Sequence, residues 1–404
     1  MDFKLTKDQT SRRNIFFHVC KELEKERPEG IHTLLDAFET DKEEGFVYEE
    51  RCRKVFAERG WLRLGWPAEF GGMGTMLDRV FLSEATGYHG VPGVDGVGVG
   101  MLAPMLLQEA NNDVKRRFLP PIGNGEVLWC ELWSEPNAGS DLASLTTSSI
   151  RKGEEYIING QKTWTSFAHR ADWGFGLFKS DLHSRKYHNL SFLLLDMKNT
   201  RGITIKPLYY LDGRHFYNEV FFEDVHVPAN NIVGKENNGW QVAQTLAGFE
   251  RSSLGTVMTL QRQLEDLVKY CNSTKVGGKL LAWDQRIRNR LAEVACEIEA
   301  NRTLAYHIAD LQDKEQMALF DASALKAYAG ELSELLADIG IDIPGMYGQV
   351  KTSKWSPMGG AWESNYYTHF IYTVAAGSNE IQKNIIAWYA LGMPRPPKPA
   401  PNVL

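Results

Sequence analysis

A length of 404 residues is more than one ordinary hydrophobic core organises, and it indicates two or three packed regions. Hydrophobic residues make up 43% of the chain and charged residues 24%, which is typical of a globular protein. The formal net charge is −6 at pH 7, and no local stripe of Lys and Arg interrupts it. We therefore expect neither a nucleic acid nor a membrane as a partner.

The cysteines exclude further classes of site. Five cysteines are widely spaced and form no Cys-x-x-Cys pair of the kind that binds zinc or exchanges disulfides. We expect no metal site and a reducing compartment. The first residues lack the apolar core of a signal peptide, and no run of about 18 apolar residues could span a membrane. The sequence predicts a cytoplasmic protein, with a mature organellar protein as the alternative.

In chain order, the predicted elements are helical, then β-rich, then helical again. From about residue 5 to 125, apolar residues recur at three- and four-residue spacing, which indicates helices. From about 127 to 235 the pattern changes to short β runs. There, Asn159-Gly160 predicts a type I′ hairpin turn with Trp164 on the return strand, and 191–195 and 220–222 are typical of buried strands.

Beyond Gly239 the helical period returns, in 246–267, 287–298 and 322–336. Segregated runs of this kind predict an α+β fold and not a doubly wound sheet. We set the domains at 1–126, 127–236 and 237–404. The glycine-rich stretch 93–100 is superficially like a dinucleotide-binding turn, but no βαβ pattern surrounds it. We interpret it as a flexible segment at a helix or pocket wall.

Four blocks of sequence carry a resemblance to a known enzyme family. WSEPNAGSD at 133–141 and NGQKTWTS at 159–166 resemble the acyl-CoA dehydrogenase segments T-E-P-x-A-G-S-D and N-G-x-K-x-W-I-T. FFEDVHVP at 221–228 resembles the end of that family's middle domain, and EIQKNII at 380–386 resembles its C-terminal signature. Because the blocks follow in the family's order, the resemblance implies the family's fold. That fold has an N-terminal helical domain, a β-barrel middle domain and a C-terminal four-helix bundle.

The resemblance implies FAD as the cofactor. A flavin ring needs an aromatic or apolar wall and hydrogen bonds to its heteroatoms. By family position, Trp164 packs against the ring and Ser166 bonds near its N5 atom; taken alone, Trp164 is more often a core tryptophan. The residues with an implied cofactor role are Trp133, Ser134, Gly139, Ser140, Trp164, Ser166, Gln285, Gly377 and Ser378.

The catalytic acid of the C-terminal signature is missing from this chain. In many family members a Glu in that signature removes the substrate α-proton, and here Ala376 stands in its place. A branch that includes the isovaleryl and long-chain enzymes places this Glu before an Arg on the helix after the middle domain. This chain has Glu250-Arg251 there, so Glu250 is the candidate base. The alternative is a surface glutamate paired with Arg251 or a helix neighbour.

The surroundings of Glu250 and Ala376 complete the implied site. Burial against an apolar substrate would raise the pKa of the Glu250 carboxyl, which suits general-base catalysis. Ala376 keeps the backbone N–H that, in the family, stabilises enolate charge on the thioester carbonyl. The residues with an implied substrate role are Ser140, Phe249, Arg251 and Ala376.

Two departures from the family pattern concern cofactor affinity and subunit arrangement. The family has an Arg-x-x-Phe-Gly motif, whose Arg holds the cofactor pyrophosphate across a subunit boundary. Here Thr274 replaces the Arg and Gly277 replaces the Phe. Lys275 is not equivalent to the Arg, because its ammonium group is a point charge and cannot form two parallel hydrogen bonds. The usual Gln-x-x-Gly-Gly-x-Gly loop is only echoed at 358–362.

The implied function is oxidation of an acyl-CoA thioester to its trans-2-enoyl form in lipid metabolism. Electrons would pass to an electron-transfer flavoprotein. The implied assembly is a homotetramer, or an α2β2 pairing with an unlike chain. An enoyl-CoA reductase, an acyl-CoA oxidase and a non-catalytic scaffold subunit are the alternatives. The sequence leaves the acyl group, the direction of reaction and the electron acceptor open.

Overall fold

The computed structural model describes residues 4–31, 37–38, 43–250, 255–314, 316, 318–351 and 353–395. Its first part is helical, as predicted for residues 5–125. The helices are α1 (Lys7–Glu24), α2 (Glu43–Glu58), α3 (Met76–His89), α4 (Ala103–Glu109) and α5 (Asn112–Gly123).

Local sequence explains where these helices begin. Thr6 closes a capping box with Gln9, and Thr75 closes another with Asp78, so each pair satisfies backbone N–H groups that the first turn leaves open. Between α3 and α4, the stretch Gly98–Leu102 forms a π-helical turn. In the described part of the chain no strand precedes this turn, so the glycine-rich segment is not a dinucleotide-binding unit.

The middle of the chain forms one mixed sheet, as the β-rich pattern predicted. Its strands are β1 (Trp129–Leu132), β2 (Ser148–Lys152), β3 (Glu155–Ser166), β4 (Trp173–Lys179), β5 (Leu190–Asp196), β6 (Ile203–Tyr209), β7 (His215–Pro228) and β8 (Ile232–Val233). The strand order is β6-β7-β3-β2-β4-β5-β8, and β1 pairs in parallel with β4.

The prediction of a hairpin turn at Asn159-Gly160 is wrong. β3 runs through both residues, and the connection to β2 lies before Glu155. Gly160 stands where the register between β3 and β7 shifts, and a Cβ on it would lie 2.7 Å from the hydroxyl of Thr147. The glycine therefore permits a close backbone approach inside a long strand. Trp164 lies further along β3 itself and not on a return strand.

The last part of the chain is helical again. Its helices are α6 (Gly239–Glu250), α7 (Gly255–Ser273), α8 (Gln285–Asp313), α9 (Leu319–Asp342), α10 (Ala361–Thr368), α11 (Phe370–Val374) and α12 (Asn379–Ile385), and a short hairpin of β9 (Lys275–Val276) and β10 (Lys279–Leu280) joins α7 to α8. The three long helices share one hydrophobic core, to which Leu264, Ile298 and Leu332 contribute.

Two other cores lie on opposite faces of the sheet. One face packs with the N-terminal helices and α6, so that Trp129, Phe175 and Leu246 belong to one cluster. The other face encloses Cys130 and Leu132. Of the helices described, none combines the length and hydropathy needed to span a bilayer.

Candidate active site

Two of the predicted cofactor residues lie near the end of β3, where its register with β7 shifts between Lys162 and Thr165. Thr163 and Thr165 are buried, whereas the Trp164 side chain is 58% exposed and Ser166 is half-buried. Trp164 and Ser166 thus form the open face of β3. An indole left this open beside a hydroxyl matches what a flat, hydrogen-bonding ring requires.

The backbone at Trp164 is held in an unusual conformation. Its φ of 58° lies in the left-handed region, which costs a non-glycine residue about 1–2 kcal/mol. The ring of Tyr217 on β7 supports it edge-on, with 5.6 Å between ring centroids. Strain of this kind persists where the surroundings fix the residue, and it is concentrated at functional sites.

A buried ion pair joins β3 to the segment after β1. The ammonium group of Lys162 lies 2.9 Å from a Glu135 carboxylate oxygen and donates to the backbone oxygens of Trp133 and Leu177. Burial would raise the pKa of Glu135, but Lys162 and the N–H groups of 146–147 hold it below its usual value. Burial lowers the pKa of Lys162 to about 8, so the lysine stays mostly charged near neutral pH. The pair fixes Trp133 and Ser134 relative to Trp164.

The C-terminal signature lies against α9. The side-chain amide of Asn379 donates to the backbone oxygen of Ala327 at 3.1 Å. Ala376 has a φ of 58°, and Gln382 donates to its backbone oxygen at 2.9 Å. Ser378 caps α12. The signature residues are thus held by their own helix and by α9.

A cluster of tyrosines brings α11 towards β7. Burial and Tyr210, with a smaller contribution from Tyr372 of α11, raise the pKa of the Tyr217 phenol above its ordinary value. Because Tyr217 supports the Trp164 ring, the C-terminal segment and the open face of β3 lie in one region of the molecule.

Other predicted cofactor residues are not joined to this region by contacts within the chain. Gln285 is the exposed first residue of α8, and its amide donates to Asn289. Gly139 and Ser140 lie on an exposed turn after Ser134. A Cβ on Gly139 would meet nothing within 4 Å, so the backbone there is open to a ligand. Thr274, at the usual Arg position, donates its N–H to the backbone oxygen of Tyr270.

The candidate base closes α6. Glu250 is the last residue of this helix and is half-buried, and Phe249 packs against the core shared by the N-terminal helices and the sheet. Helix α6 lies over β5 and against the π-helical turn at Gly98–Leu102. Arg251 lies outside the described residues.

A second carboxyl, Glu131, lies within electrostatic reach of Glu250. It stands on β1 opposite Phe175, on the face that bears Trp129. Burial first, and then the charge of Glu250, raise the pKa of Glu131 well above the ordinary value, and Trp133 only partly offsets the rise. One of its oxygens is buried without a hydrogen-bond partner in the described part of the chain.

Sequence reasoning missed Glu131. The signal was present, since one acidic residue interrupts the apolar run Trp129–Leu132. A carboxyl on a strand with two apolar faces destabilises the fold, because burial disfavours its charged form. Such a residue is therefore a candidate for a functional role.

The residues around Trp164 fit a flavin. The open indole, the hydroxyl of Ser166 beside it and the fixed position of Ser134 provide a wall and hydrogen-bonding groups. This fit concerns the flavin ring only. For the pyrophosphate, position 274 holds Thr where an Arg is usual, so this chain supplies no guanidinium group there.

Comparison with known proteins agrees with this geometry. The chain matches three sequence models in series, namely the acyl-CoA dehydrogenase N-terminal domain over residues 32–126, middle domain over 130–225 and C-terminal domain over 237–391. The acyl-CoA dehydrogenase IpdE1 of Mycobacterium tuberculosis is 36% identical over 360 residues, which cover 87% of this chain and 90% of that protein.

Solved structures give the same result. The Tcur3481-Tcur3483 steroid ACAD matches with a TM-score of 0.85 at 25% identity, over 98% of this chain and 100% of that one. The glutaryl-coenzyme A dehydrogenase glutaryl-CoA complex matches with a TM-score of 0.82 at 26% identity, over 98% of both chains. This chain belongs to the acyl-CoA dehydrogenase family of flavin-dependent oxidoreductases that act on acyl-CoA.

Proposed function

We propose that this chain oxidises an acyl-CoA thioester to the trans-2-enoyl-CoA, with Glu250 as the base that removes the α-proton. The observation that carries the proposal is the position of Glu250. It ends α6 within electrostatic reach of the half-buried Glu131, while Ala376 leaves the C-terminal signature without a carboxylate at the family position. A carboxylate in apolar surroundings is a stronger base than one in water.

FAD, when bound, would accept the β-hydrogen as hydride. We assign its ring to Trp164, Ser166, Trp133 and Ser134, which the Lys162–Glu135 pair holds in place. The further cofactor residues in this proposal are Gly139, Ser140, Gln285, Gly377 and Ser378. The domain boundaries 1–126, 127–236 and 237–404 are part of the same proposal.

The acyl group would lie between the flavin wall and Glu250. Phe249 supplies an apolar surface, and the N–H of Ala376 would donate to the thioester oxygen, where negative charge develops as the α-proton leaves. The positive φ of Ala376 supports this role, because a residue in a left-handed conformation directs its N–H differently from its neighbours in a helix. Ser140 and Arg251 complete the proposed substrate contacts.

Glu131 would determine which of the two neighbouring carboxyls, its own or that of Glu250, carries a proton. Two carboxyls within electrostatic reach of each other do not both ionise readily, and burial favours the proton on Glu131. With the proton on Glu131, the Glu250 carboxylate would act as the base.

The sharpest test is Glu250→Gln, which keeps the volume and removes the basicity. Flavin bleaching by an acyl-CoA substrate under anaerobic conditions should slow by about a hundredfold to ten-thousandfold. Glu380→Gln is the matched control, because Glu380 is a carboxylate of the C-terminal signature, and it should leave bleaching unchanged. Normal bleaching in the Glu250 variant, or loss of bleaching in the Glu380 variant, contradicts the assignment.

We also propose that the enzyme is cytoplasmic, works as an oligomer and passes electrons to an electron-transfer flavoprotein. Exposed aromatic and apolar side chains on the C-terminal part support assembly, since Trp283 is 69%, Met346 86% and Trp355 61% exposed. Light scattering of the purified chain, alone and with candidate unlike chains, separates a homotetramer from an α2β2 complex. A monomer in every mixture contradicts the assembly.

A further inference from the structure

The part of β3 that bears the open face is irregular. Residues 162–165 of β3 lie opposite residues 218–220 of β7, so β3 has one more residue here. Trp164 lies inside this interval and Phe167 just beyond it, and their φ values of 58° and 60° are both in the left-handed region. A bulge leaves its extra residue without a partner on the neighbouring strand, so the ladder of β3 and β7 alone does not fix Trp164.

The side chain of Asn218 fixes the end of this bulge. Asn218 is wholly buried, and its amide nitrogen donates to the backbone oxygen of Thr165 at 3.0 Å and to that of Phe216 at 3.3 Å. Carbonyl oxygens only accept hydrogen bonds, so these two contacts determine which way the amide points. Because Thr165 stands between Trp164 and Ser166, the contact holds the backbone that joins the two residues of the open face.

Two histidines contact the same amide. Nδ1 of His169 lies 3.1 Å from the amide nitrogen, and Nε2 of His215 donates to the amide oxygen at 2.9 Å. The two imidazole rings lie against each other, with 4.4 Å between their centroids. Both polar atoms of the Asn218 side chain therefore have hydrogen-bond partners, and a rotation of the amide would break its contacts with both histidines.

His169 has to be neutral to accept this hydrogen bond. Its Nε2 donates to the backbone oxygen of Phe38 at 3.2 Å, so the ring proton is on Nε2 and Nδ1 keeps its lone pair. Burial first, and then the charge of His215, lower the pKa of His169 to about 4, so the ring is uncharged near neutral pH. Phe38 also packs on Phe167, with 4.3 Å between ring centroids, so the network joins the N-terminal part of the chain to the end of β3.

We propose that Asn218 and His169 are positioning residues for the flavin, because together they hold the backbone of Thr165. This inference rests on the proposed function, which places the flavin ring against Trp164 and Ser166, the neighbours of Thr165. Asn218 is wholly buried and acts through the Thr165 oxygen, without a contact of its own to the ring. A buried carbonyl oxygen without a partner is unfavourable, so the network opposes any backbone change that would turn Trp164 away from Ser166.

The first experiment uses Asn218→Asp, which keeps the size and shape of the side chain and removes both of its N–H donors. A carboxylate oxygen then faces the oxygen of Thr165, and the backbone at 164–166 should move. Titration of the apoprotein with FAD, followed by flavin fluorescence, should give a dissociation constant about tenfold higher than in wild type. The visible absorption band of the bound flavin should also change in shape, because the groups around the ring move.

Asn231→Asp is the matched control. Asn231 is 3% exposed and donates to the backbone oxygen of Leu194 at 3.0 Å, but it lies beyond the opposite end of β7. This variant should leave the FAD dissociation constant and the absorption band at their wild-type values. Equal weakening of FAD binding in both variants shows a general loss of sheet stability and overturns the inference. Wild-type binding and absorption in Asn218→Asp overturn it too.

The second experiment changes His169 and remains decisive if Asn218→Asp does not fold. His169→Phe keeps an aromatic ring beside His215 and removes the acceptor for the Asn218 amide, whereas His169→Gln supplies a side-chain oxygen that can accept. The FAD dissociation constant should rise about threefold to tenfold in His169→Phe and return towards the wild-type value in His169→Gln. Wild-type affinity in His169→Phe, or an equal rise in both variants, contradicts the role of His169 as an acceptor.

Ser166→Ala distinguishes failure of this inference from failure of the proposed function. If Ser166→Ala leaves the FAD dissociation constant and the absorption band unchanged, the proposed placement of the flavin ring fails. If Ser166→Ala changes them and neither Asn218→Asp nor His169→Phe does, only the inference about the positioning residues fails.

Discussion

Replacing Asp95 by Asn tests the electrostatics beneath the π-helical turn that carries Gly100. Asp95 is 9% exposed, and the N–H of Val97 donates to its carboxylate at 2.9 Å. Burial is the largest influence on this carboxyl and raises its pKa from 3.8 to about 6, although the N–H groups of Val97 and Gly98 and the charge of Arg53 act in the opposite direction.

The size and sign of the effect follow from linkage. A rise of the Asp95 pKa from 3.8 to about 6 means that the free energy of unfolding is about 3 kcal/mol higher with Asp95 protonated than with Asp95 charged. Because the folded protein holds this proton more tightly than the unfolded chain, the stabilisation is complete below about pH 4 and is lost as the pH rises through 6. Asn does not titrate. The free energy of unfolding of Asp95→Asn, relative to wild type, should therefore increase by about 3 kcal/mol between pH 4 and pH 8.

The assay is urea unfolding of the holoenzyme at a series of pH values, followed by tryptophan fluorescence. Glu50→Gln is the control, since Glu50 also lies near Arg53 but its side chain is 55% exposed. Its pH dependence should match that of wild type. If Asp95→Asn and wild type keep a constant difference at all pH values, the burial of a titrating Asp95 is refuted.

Glu49 should behave in the same direction as Asp95. Its pKa is raised to about 7, chiefly by burial, with Arg53 offsetting part of the rise and Asp95 adding to it. Because Asp95 contributes to that rise, the two carboxyls titrate as a coupled pair. The double variant Asp95→Asn with Glu49→Gln should therefore differ from the sum of the single variants.

Three further predictions concern the site and the strand that carries it. Lys162→Met should lower stability by about 3–5 kcal/mol, because Glu135 is left as a buried unpaired charge, and thermal unfolding with flavin absorbance should show a lower transition and weaker flavin retention. Unchanged stability would show that the pair does not hold β3. Glu131→Gln should leave the pH at which flavin bleaching first appears unchanged, because Gln replaces a Glu131 that is already neutral when Glu250 ionises; a shift of that limb in stopped flow contradicts the assignment of the proton to Glu131. Gly160→Ala should destabilise the protein by about 1–3 kcal/mol, since the new methyl group meets Thr147, and Gly153→Ala is the control for a positive-φ glycine with open space around it.

Much of the fold could be predicted because local pattern and architecture agree. Leucines at three- and four-residue spacing in 260–267 and 332–336 lie on the faces by which α7 and α9 pack against α8. The order of helical, β and helical segments followed from the same periodicities.

The rest depended on contacts between distant segments. Asn159-Gly160 has the composition of a turn, but pairing of β3 with both β2 and β7 overrides it, and the glycine serves a close approach to Thr147. Glu131 becomes significant only when α6 brings Glu250 beside β1, about 120 residues away in sequence.

The buried charges of this site divide by function. Lys162 and Glu135 neutralise each other, so neither buried charge needs a ligand to compensate it. The pair therefore serves to fix the position of β3 relative to the segment after β1. Glu131 lies within electrostatic reach of Glu250, and burial together with that like charge favours the neutral form of Glu131. The opposite charges of Lys162 and Glu135 hold a strand in place, whereas the like charges of Glu131 and Glu250 couple two proton equilibria. A general base needs a neighbour that gives up its proton less readily than the base does, and the raised pKa of Glu131 meets that condition for the proposed role of Glu250.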